Sequence, residues 1–479
     1  MASALATTWP EVHAALSTHA VHVERNADVD ADGDVDAVAV WAPYKAALRN
    51  PDAPLNTAQY LFQYIRSGIL VVIRGGKVVQ FAPFANKDFT NAWGERAKFL
   101  CGARTVREYA VAKASATGAR LEAMLPLDKW WLNAGIACNV MPAAVWGDHY
   151  NHDLLDMLEA TAQRHALPDA VFFLNKRDYP VFRKDGQHPY SRFVGSSVPC
   201  ARGAALTPVF SFYTGSDTGD WCMPVVEDWV TAKSSDSWAR VRDAHPWHTR
   251  KPVAVFRGSG TGPRRWSLAR VAHGHPFLDV GITAVNARDR VWLHKDGETP
   301  MVHWVPMEAV TEKEALPLVP PMPLEDQAKH FQFIVYADGH CAASRYGTLM
   351  HTGCCIVRIE SHQKQDSGHL WLFDDLVGVQ LGDDAAVWGA ADHVRVRADL
   401  ADLVPTMAFL VTAEGQALAQ AVARNSALRA PTCASICAHW ARSVTRVHDT
   451  ALYCCSPEDG VGQPWFDCTD KRYASLHVA

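Results

Sequence analysis

Short apolar runs alternate along this chain with segments of helical period. Residues 55–66 carry Leu61, Phe62 and Ile65 at helical spacing. Residues 69–74 and 77–84 flank Gly75-Gly76 and predict a hairpin. Tyr60, Phe81, Phe84, Phe89 and Trp93 predict a local aromatic core. Residues 153–165 have an amphipathic helical pattern that Leu167-Pro168-Asp169 breaks, and 170–174 then read as a buried strand. Further strands are predicted over 209–213, 252–256, 277–283, 333–336, 354–359 and 393–396. Helices are predicted from Pro263, over 324–331, from about 399–403, and over 412–427 and 434–447. Residues 220–229 read as an aromatic, acidic loop, and 289–323 as a long, proline-ended excursion. Strands alternating with helices predict the α/β class with parallel sheets.

One stretch stands out, Lys251 to Arg270. Its valine-rich run predicts a strand, Gly258 to Gly262 a tight loop, and Pro263 the first position of a helix. A strand, a glycine-rich turn and a helix N-terminus make an anion site, because unsatisfied N–H groups and the helix dipole face the loop. Arg257, Arg264 and Arg265 add forked cations suited to phosphate oxygens. The expectation is a diphosphate site. Taken alone, the same loop also reads as a charged surface turn.

Composition narrows the picture. The chain has 479 residues, 48% hydrophobic and 20% charged, which fits a folded protein of two or three domains. A formal net charge of −5 argues against nucleic acid as a bulk partner, so arginine clusters read as specific sites. The twelve cysteines lack the spacing of a small disulfide scaffold. No signal peptide, membrane-length apolar run or ER-retention signal is visible, so a cytoplasmic protein is expected.

Other clusters carry less. Asp28 to Asp36 imitate the start of a calcium loop, but Ala39 stands where a bidentate glutamate is needed, so a solvated acidic loop is expected. Asp148, His149 and His152 have no second ligand cluster, and no metal is expected. Asn175-Lys176-Arg177-Asp178-Tyr179-Pro180 follows a strand, at the sheet edge where ligands bind in open α/β folds. There Asp178 reads either as a fixed catalytic carboxylate or as an ion-paired turn residue.

Three separated blocks then occur in order: Phe173 to Pro180, Phe256-Arg257-Gly258-Ser259 with Arg265, and Tyr336 to Tyr346. Together they resemble the signature blocks of the protein O-glucosyltransferase (Rumi), KDEL-containing and capsule-associated-protein type, glycosyltransferase family ninety. The resemblance runs from about residue 167 to about 430 and includes unsecreted virus- and alga-like members, for which a viral protein would lie in host cytoplasm. It implies a GT-B-like fold of two Rossmann-like halves facing a cleft. Residues 126–250 would form the acceptor half, 251–450 the donor half, 1–125 an N-terminal accessory α+β region, and 451–479 a tail. It implies inverting transfer of a sugar, glucose or xylose, from a UDP-sugar to a hydroxyl on a protein or glycan, without a metal or other cofactor. By matching position Asp178 would be the general base. Arg265 and Arg345 would hold the donor diphosphate, and Arg257, Gly258 and Ser259 would shape the loop beneath it. Asp279, Thr283, Gly339, Ala342, Ser344 and Glu360 would lie on the donor side, and Arg177, Pro224 and Trp229 on the acceptor side. The alternative is a protein of the same fold that binds sugar or nucleotide-sugar and has lost catalysis. The chain departs from the family's secreted members in its N-terminal region and in a segment, 382–391, that reads as an insertion.

Overall fold

The computed structural model describes residues 57, 61, 67–85, 149–175, 180–181, 208–215, 220–261, 263–285, 288–295, 299–306, 316–361 and 368–453. Among them stand two larger sheets and a separate hairpin. The first sheet has the order β2-β1-β3-β4-β5, from β1 (Ser67–Arg74), β2 (Lys77–Ala85), β3 (Ala170–Asn175), β4 (Val209–Ser211) and β5 (Trp221–Cys222). The strands β3, β4 and β5 run parallel, while β1 and β2 add an antiparallel edge. The β1–β2 turn uses Gly75 and Gly76 at φ 53° and 75°, a left-handed pair that glycine adopts without steric cost. Because β1 pairs with β3, this hairpin is part of the first sheet.

The second sheet is parallel throughout, in the order β12-β13-β11-β10-β6-β7. Its strands are β6 (Lys251–Gly260), β7 (Leu278–Val285), β10 (Phe331–Tyr336), β11 (Cys355–Ile359), β12 (Gly378–Val379) and β13 (His393–Val396). Side chains alternate between its faces. Val255, Ile334 and Ile356 join one apolar cluster, while Ala254, Phe256, Phe333, Val335, Cys355 and Val357 join another. Burial on both faces explains why these strands read as continuous apolar runs. The chain runs from β6 outwards to β7, then crosses back to place β10 on the other side of β6. The crevice between the C-terminal ends of β6 and β10 is therefore a topological switch point, where open α/β sheets bind ligands.

Helices cover these sheets: α1 (His149–Arg164), α2 (Val226–Lys233), α3 (Ser235–Ala244), α4 (Pro263–Ala272), α5 (Leu324–His330), α6 (Tyr346–His351), α7 (Ala385–Ala390), α8 (Leu403–Leu410), α9 (Ala413–Arg429) and α10 (Cys433–Tyr453). The last of them, α10, lies with the second half in sequence but packs on the first sheet. Its Trp440 is fully buried, with its ring centroid 6.2 Å from that of Phe172 and 5.3 Å from that of Phe210.

Three expectations are corrected. The strand predicted over 252–256 continues through Gly258 to Gly260, because Arg257 and Gly258 pair with Gly281 and Ile282 of β7. Val226 to Trp229, read as loop, open α2, with Glu227 and Asp228 in its first turn where carboxylates suit the dipole. The excursion at 289–323 contains the hairpin of β8 (Arg288–Lys295) and β9 (Thr299–Pro306). The segment read as an insertion holds α7, whose Asp384 accepts from Val387 N at 3.1 Å as its N-cap and whose Trp388 is buried.

Candidate functional site

Phe256, fully buried near the end of β6, is the floor of the switch-point crevice. Two guanidinium groups lie over its ring, Arg265 at 5.5 Å from the centroid and Arg345 at 5.2 Å. The negative face of an aromatic ring is one of the few apolar surfaces that attracts a cation. Arg265 projects from the first turn of α4, and Arg345 is the N-cap residue of α6. The two cations thus come from separate strand–helix units on either side of the switch point.

Backbone carbonyls hold both side chains. Arg265 donates from Nε to Asp338 O at 3.0 Å, from Nη1 to Ser259 O at 3.0 Å and from Nη2 to Ala337 O at 3.2 Å. It therefore laces the end of β6 to the end of β10. Arg345 donates from Nη1 to Arg257 O at 3.0 Å, while its Nε is buried without a partner. Among the described residues neither arginine forms a salt bridge; the nearby Asp338 carboxylate pairs with Arg264 at 3.5 Å instead. Burial lowers the Arg265 pKa below the usual guanidinium value, against the opposing pull of Tyr336 and Asp338. Burial, and then the like charge of Arg265, lower the Arg345 pKa to about 10. Both groups stay cationic at neutral pH, and their charges repel. That arrangement is costly unless an anion joins it.

Beside the arginines is a cavity of about 290 Å³, whose lining includes Thr261, Arg265, Gly339, His340, Cys341, Ala342, Ser344, Arg345 and, from the first half, Tyr213. Thr261 Oγ1 is buried there with no hydrogen-bond partner. Gly339 keeps the space open: a Cβ on it would sit 3.1 Å from both Arg265 Nη2 and Thr261 Oγ1. The turn after β10 is closed by Gly339 N donating to Cys341 O at 2.9 Å, and by Ala343 N donating to Tyr336 Oη at 2.7 Å.

Helix α2 of the first half supports the arginine-bearing helix α6 from behind. Ser344 Oγ donates to Glu227 Oε1 at 2.9 Å, and Thr231 and Thr348 share a hydroxyl hydrogen bond of 2.8 Å. Asp228 is buried against the Gly347 backbone, where a Cβ would collide with its carboxylate. Trp371 Nε1 donates to Asp228 Oδ2 at 2.7 Å, and Oδ1 has no partner. Burial pushes the Asp228 carboxyl well above the usual carboxylate range, which the Trp371 hydrogen bond only partly offsets.

The structure brings part of the predicted set together. Arg265, Arg345, Gly339, Ala342 and Ser344 line the cavity. Ser259 reaches Arg265 through its carbonyl, and Gly258 lies under Arg265 Nη1. Arg257 is the exception: its guanidinium pairs with Asp279 Oδ1 at 2.7 Å and with Asp279 O at 2.7 Å, so its charge is neutralised on β7 and only its carbonyl reaches the site. Asp279 is spent on that pair. Thr283 lies further along β7, and Glu360 accepts from Arg395 at 3.4 Å, both outside the cavity lining. On the acceptor side, Pro224 is buried just before α2. Trp229 is buried and donates to Asp156 at 2.7 Å, so it packs in the core and does not line the cavity. Asp178 and Arg177 lie outside the described residues.

The sequence reading missed Thr261, His340 and Cys341 as lining residues, and Phe256 as the floor. The signal for Thr261, His340 and Cys341 was their place inside the motifs already singled out. Nothing in the sequence distinguishes Phe256 from a core aromatic. Among the described residues no group of three or more His, Cys, Asp or Glu gathers to hold a metal ion, and no helix is long and apolar enough to cross a membrane.

The fold and cavity define a mixed α/β protein with parallel sheets and a cationic pocket at a topological switch point. No protein-family model matches the chain. It is similar to viral proteins. Uncharacterized protein 027R of Frog virus 3 (isolate Goorha) is 28% identical over 395 residues, covering 76% of this chain and 38% of that protein. Uncharacterized protein 035R of Invertebrate iridescent virus 3 is 26% identical over 393 residues, covering 76% and 33%. Uncharacterized protein 179R of Invertebrate iridescent virus 6 is 23% identical over 417 residues, covering 74% and 34%. The aligned stretch is thus about a third of each curated relative's length.

Proposed function

We propose that this chain is an inverting, UDP-sugar-dependent glycosyltransferase, with the donor diphosphate bound by Arg265 and Arg345. The observation that carries the reading is the pair of arginines over Phe256, Arg265 buried and Arg345 half-buried, that no carboxylate neutralises among the described residues. A diphosphate would supply the missing charge and accept from the buried Nε of Arg345 and from Thr261 Oγ1. The two sheets would form the halves of a GT-B-like arrangement, the second holding the donor and the first presenting the acceptor. Asp178, just beyond the end of β3, would take the proton of the attacking hydroxyl.

Sugar transfer builds negative charge on the departing UDP as the glycosidic bond breaks. Fixed donors at that oxygen stabilise the transition state more than the ground state, and losing one raises the barrier by about 3–4 kcal/mol. Arg265 is suited to this because three carbonyl hydrogen bonds fix it before any ligand arrives. The α2–α6 contacts would hold Arg345 in register with the acceptor half.

The test is a panel of UDP-sugars assayed by mass spectrometry of the product, with wild type, Asp178→Asn and Arg345→Ala. Transfer by wild type, lost in both variants, supports the assignment. UDP binding without turnover of any donor supports the alternative, a binding protein that has lost catalysis. If wild type neither turns over a donor nor is stabilised by UDP, the reading is wrong.

A further inference from the structure

The cavity beside the arginines is lined by residues that follow β6 or β10 of the second sheet and, among the described residues, by a single one that follows β4 of the first, Tyr213. We propose that Tyr213 is the specificity-determining contact for the ligand's sugar, its ring bearing on the C–H face of a neutral pyranose carried on the diphosphate. The inference deepens the reading above and rests on it for the identity of the ligand.

Position carries the argument. Strands β3 and β4 run parallel, and their last register pair is Asn175 with Ser211. Along the chain Tyr213 comes two residues after Ser211, and Asp178 three after Asn175, so the two positions follow neighbouring strand ends. In the proposed reaction the attacking hydroxyl is activated at that sheet edge, and the atom it attacks is the anomeric carbon beside the diphosphate. The part of the ligand that meets Tyr213 is therefore the sugar. Charge agrees with this. The described lining holds the guanidinium groups of Arg265 and Arg345 and no carboxylate, and Tyr213 adds a neutral aromatic surface. Cations for one end and a neutral ring for the other fit a diphosphate whose substituent is hydroxylated and uncharged.

The ring is held in place before any ligand arrives. On one side Ser211 Oγ donates to Asp220 Oδ1 at 2.6 Å, and Ser211 O accepts from Met223 N at 2.9 Å. On the other side Thr214 and His369 exchange backbone hydrogen bonds of 3.1 and 3.0 Å. Tyr213 lies between these anchors, is only 8% exposed, and stands edge-on to Phe212 with ring centroids 6.3 Å apart. A side chain already fixed loses little freedom on binding, so its apolar contact with a sugar face is realised as affinity. Trp229, the aromatic expected on this side, packs in the core and leaves the role to Tyr213.

The experiment uses the full chain and calorimetric titration with inorganic pyrophosphate, UDP, UDP-glucose and UDP-xylose. Tyr213→Leu keeps an apolar side chain and removes the ring. Tyr213→Phe keeps the ring and removes the hydroxyl. For Tyr213→Leu the Kd of both UDP-sugars is expected to rise about tenfold, while those of UDP and pyrophosphate stay within about twofold of wild type. Unchanged pyrophosphate binding also reports that the variant is folded with its anion site intact. Tyr213→Phe is expected to bind every ligand as wild type does, which keeps the test open should the leucine variant not fold. Wild-type affinity for the UDP-sugars in Tyr213→Leu, or a loss that UDP and pyrophosphate share equally, overturns the inference. A comparable UDP-sugar loss in Tyr213→Phe overturns it too, because the hydroxyl and not the ring face would then carry the contact. In each of these cases wild type still binds the donor, and the glycosyltransferase reading stands. Wild type that binds pyrophosphate but neither UDP nor a UDP-sugar overturns both.

Discussion

Arg265 and Arg345 hold like charges over one aromatic ring, 5.5 and 5.2 Å from the centroid of Phe256, with no carboxylate paired to either among the described residues. Buried cations without counter-ions weaken a fold unless something else requires them. The pair therefore separates stability from function in a measurable way.

Replacing Arg345 by Met keeps much of the side chain's volume and removes the uncompensated charge. The unliganded protein is expected to be as stable as wild type or up to about 1–4 kcal/mol more stable, the range seen when buried ions give way to apolar groups. Its stabilisation by UDP or pyrophosphate is expected to vanish, and any transfer to fall by about 10²–10³-fold. Thermal unfolding with and without ligand reads both changes. A large loss of unliganded stability would mean that Arg345 is structural.

Gly339→Ala tests the cavity itself. The added methyl would sit 3.1 Å from Arg265 Nη2 and Thr261 Oγ1, and Arg265 cannot easily yield because backbone carbonyls hold three of its nitrogens. Anion affinity is expected to drop about tenfold or more, the equivalent of roughly 1.4 kcal/mol, with little change in unfolding temperature. Calorimetric titration with UDP checks it. Wild-type affinity in this variant would place the anion elsewhere.

Asp228 predicts a pH signature. Its carboxyl holds its proton in the folded state at pH values where the unfolded chain has released it. Its contribution is therefore fully present below the unfolded pKa and is lost as pH rises through the raised folded value. Asparagine cannot titrate and can still accept from Trp371. The unfolding temperature of Asp228→Asn relative to wild type is expected to climb between pH 4 and pH 8. Parallel curves would show that the carboxylate ionises freely in place.

Gly347→Ala drives a methyl into that same carboxylate and should destabilise the protein by about 1–3 kcal/mol, as overpacking does. Because the closest approach is to Asp228, with Pro431 Cγ next at 3.0 Å, Asp228→Ala in the same chain should recover part of the loss, a coupling that a double-mutant cycle measures. Strict additivity would refute the contact between α2 and α6.

Much of this fold is legible in the sequence where one signal dominates. Gly75-Gly76 announce the hairpin, and the apolar runs at 333–336 and 354–359 announce strands buried on both faces. Errors fall where neighbours decide. Glycines at 258 and 260 suggest a loop, yet pairing with β7 extends the strand through them. Pro224 and the aromatics hide the start of α2, although Glu227 and Asp228 are first-turn signals. Asp296-Gly297 lies between β8 and β9 and is a hairpin signal in a polar stretch. At the site, sequence marks three arginines around one loop but not their directions. Only the structure shows Arg257 turned to Asp279 while Arg265 turns to the cavity.

The return of α10 to the first sheet has a consequence for how the chain is made. Its Trp440 is fully buried beside Phe172 and Phe210, and His448 Nδ1 lies 2.8 Å from Asp169 O, 279 positions earlier. The first sheet therefore waits, during synthesis from the N-terminus, until α10, which follows the whole second sheet in the chain, has left the ribosome. Until then its aromatic face is open to solvent, and a chain ending near residue 430 should stay aggregation-prone even with its second sheet complete.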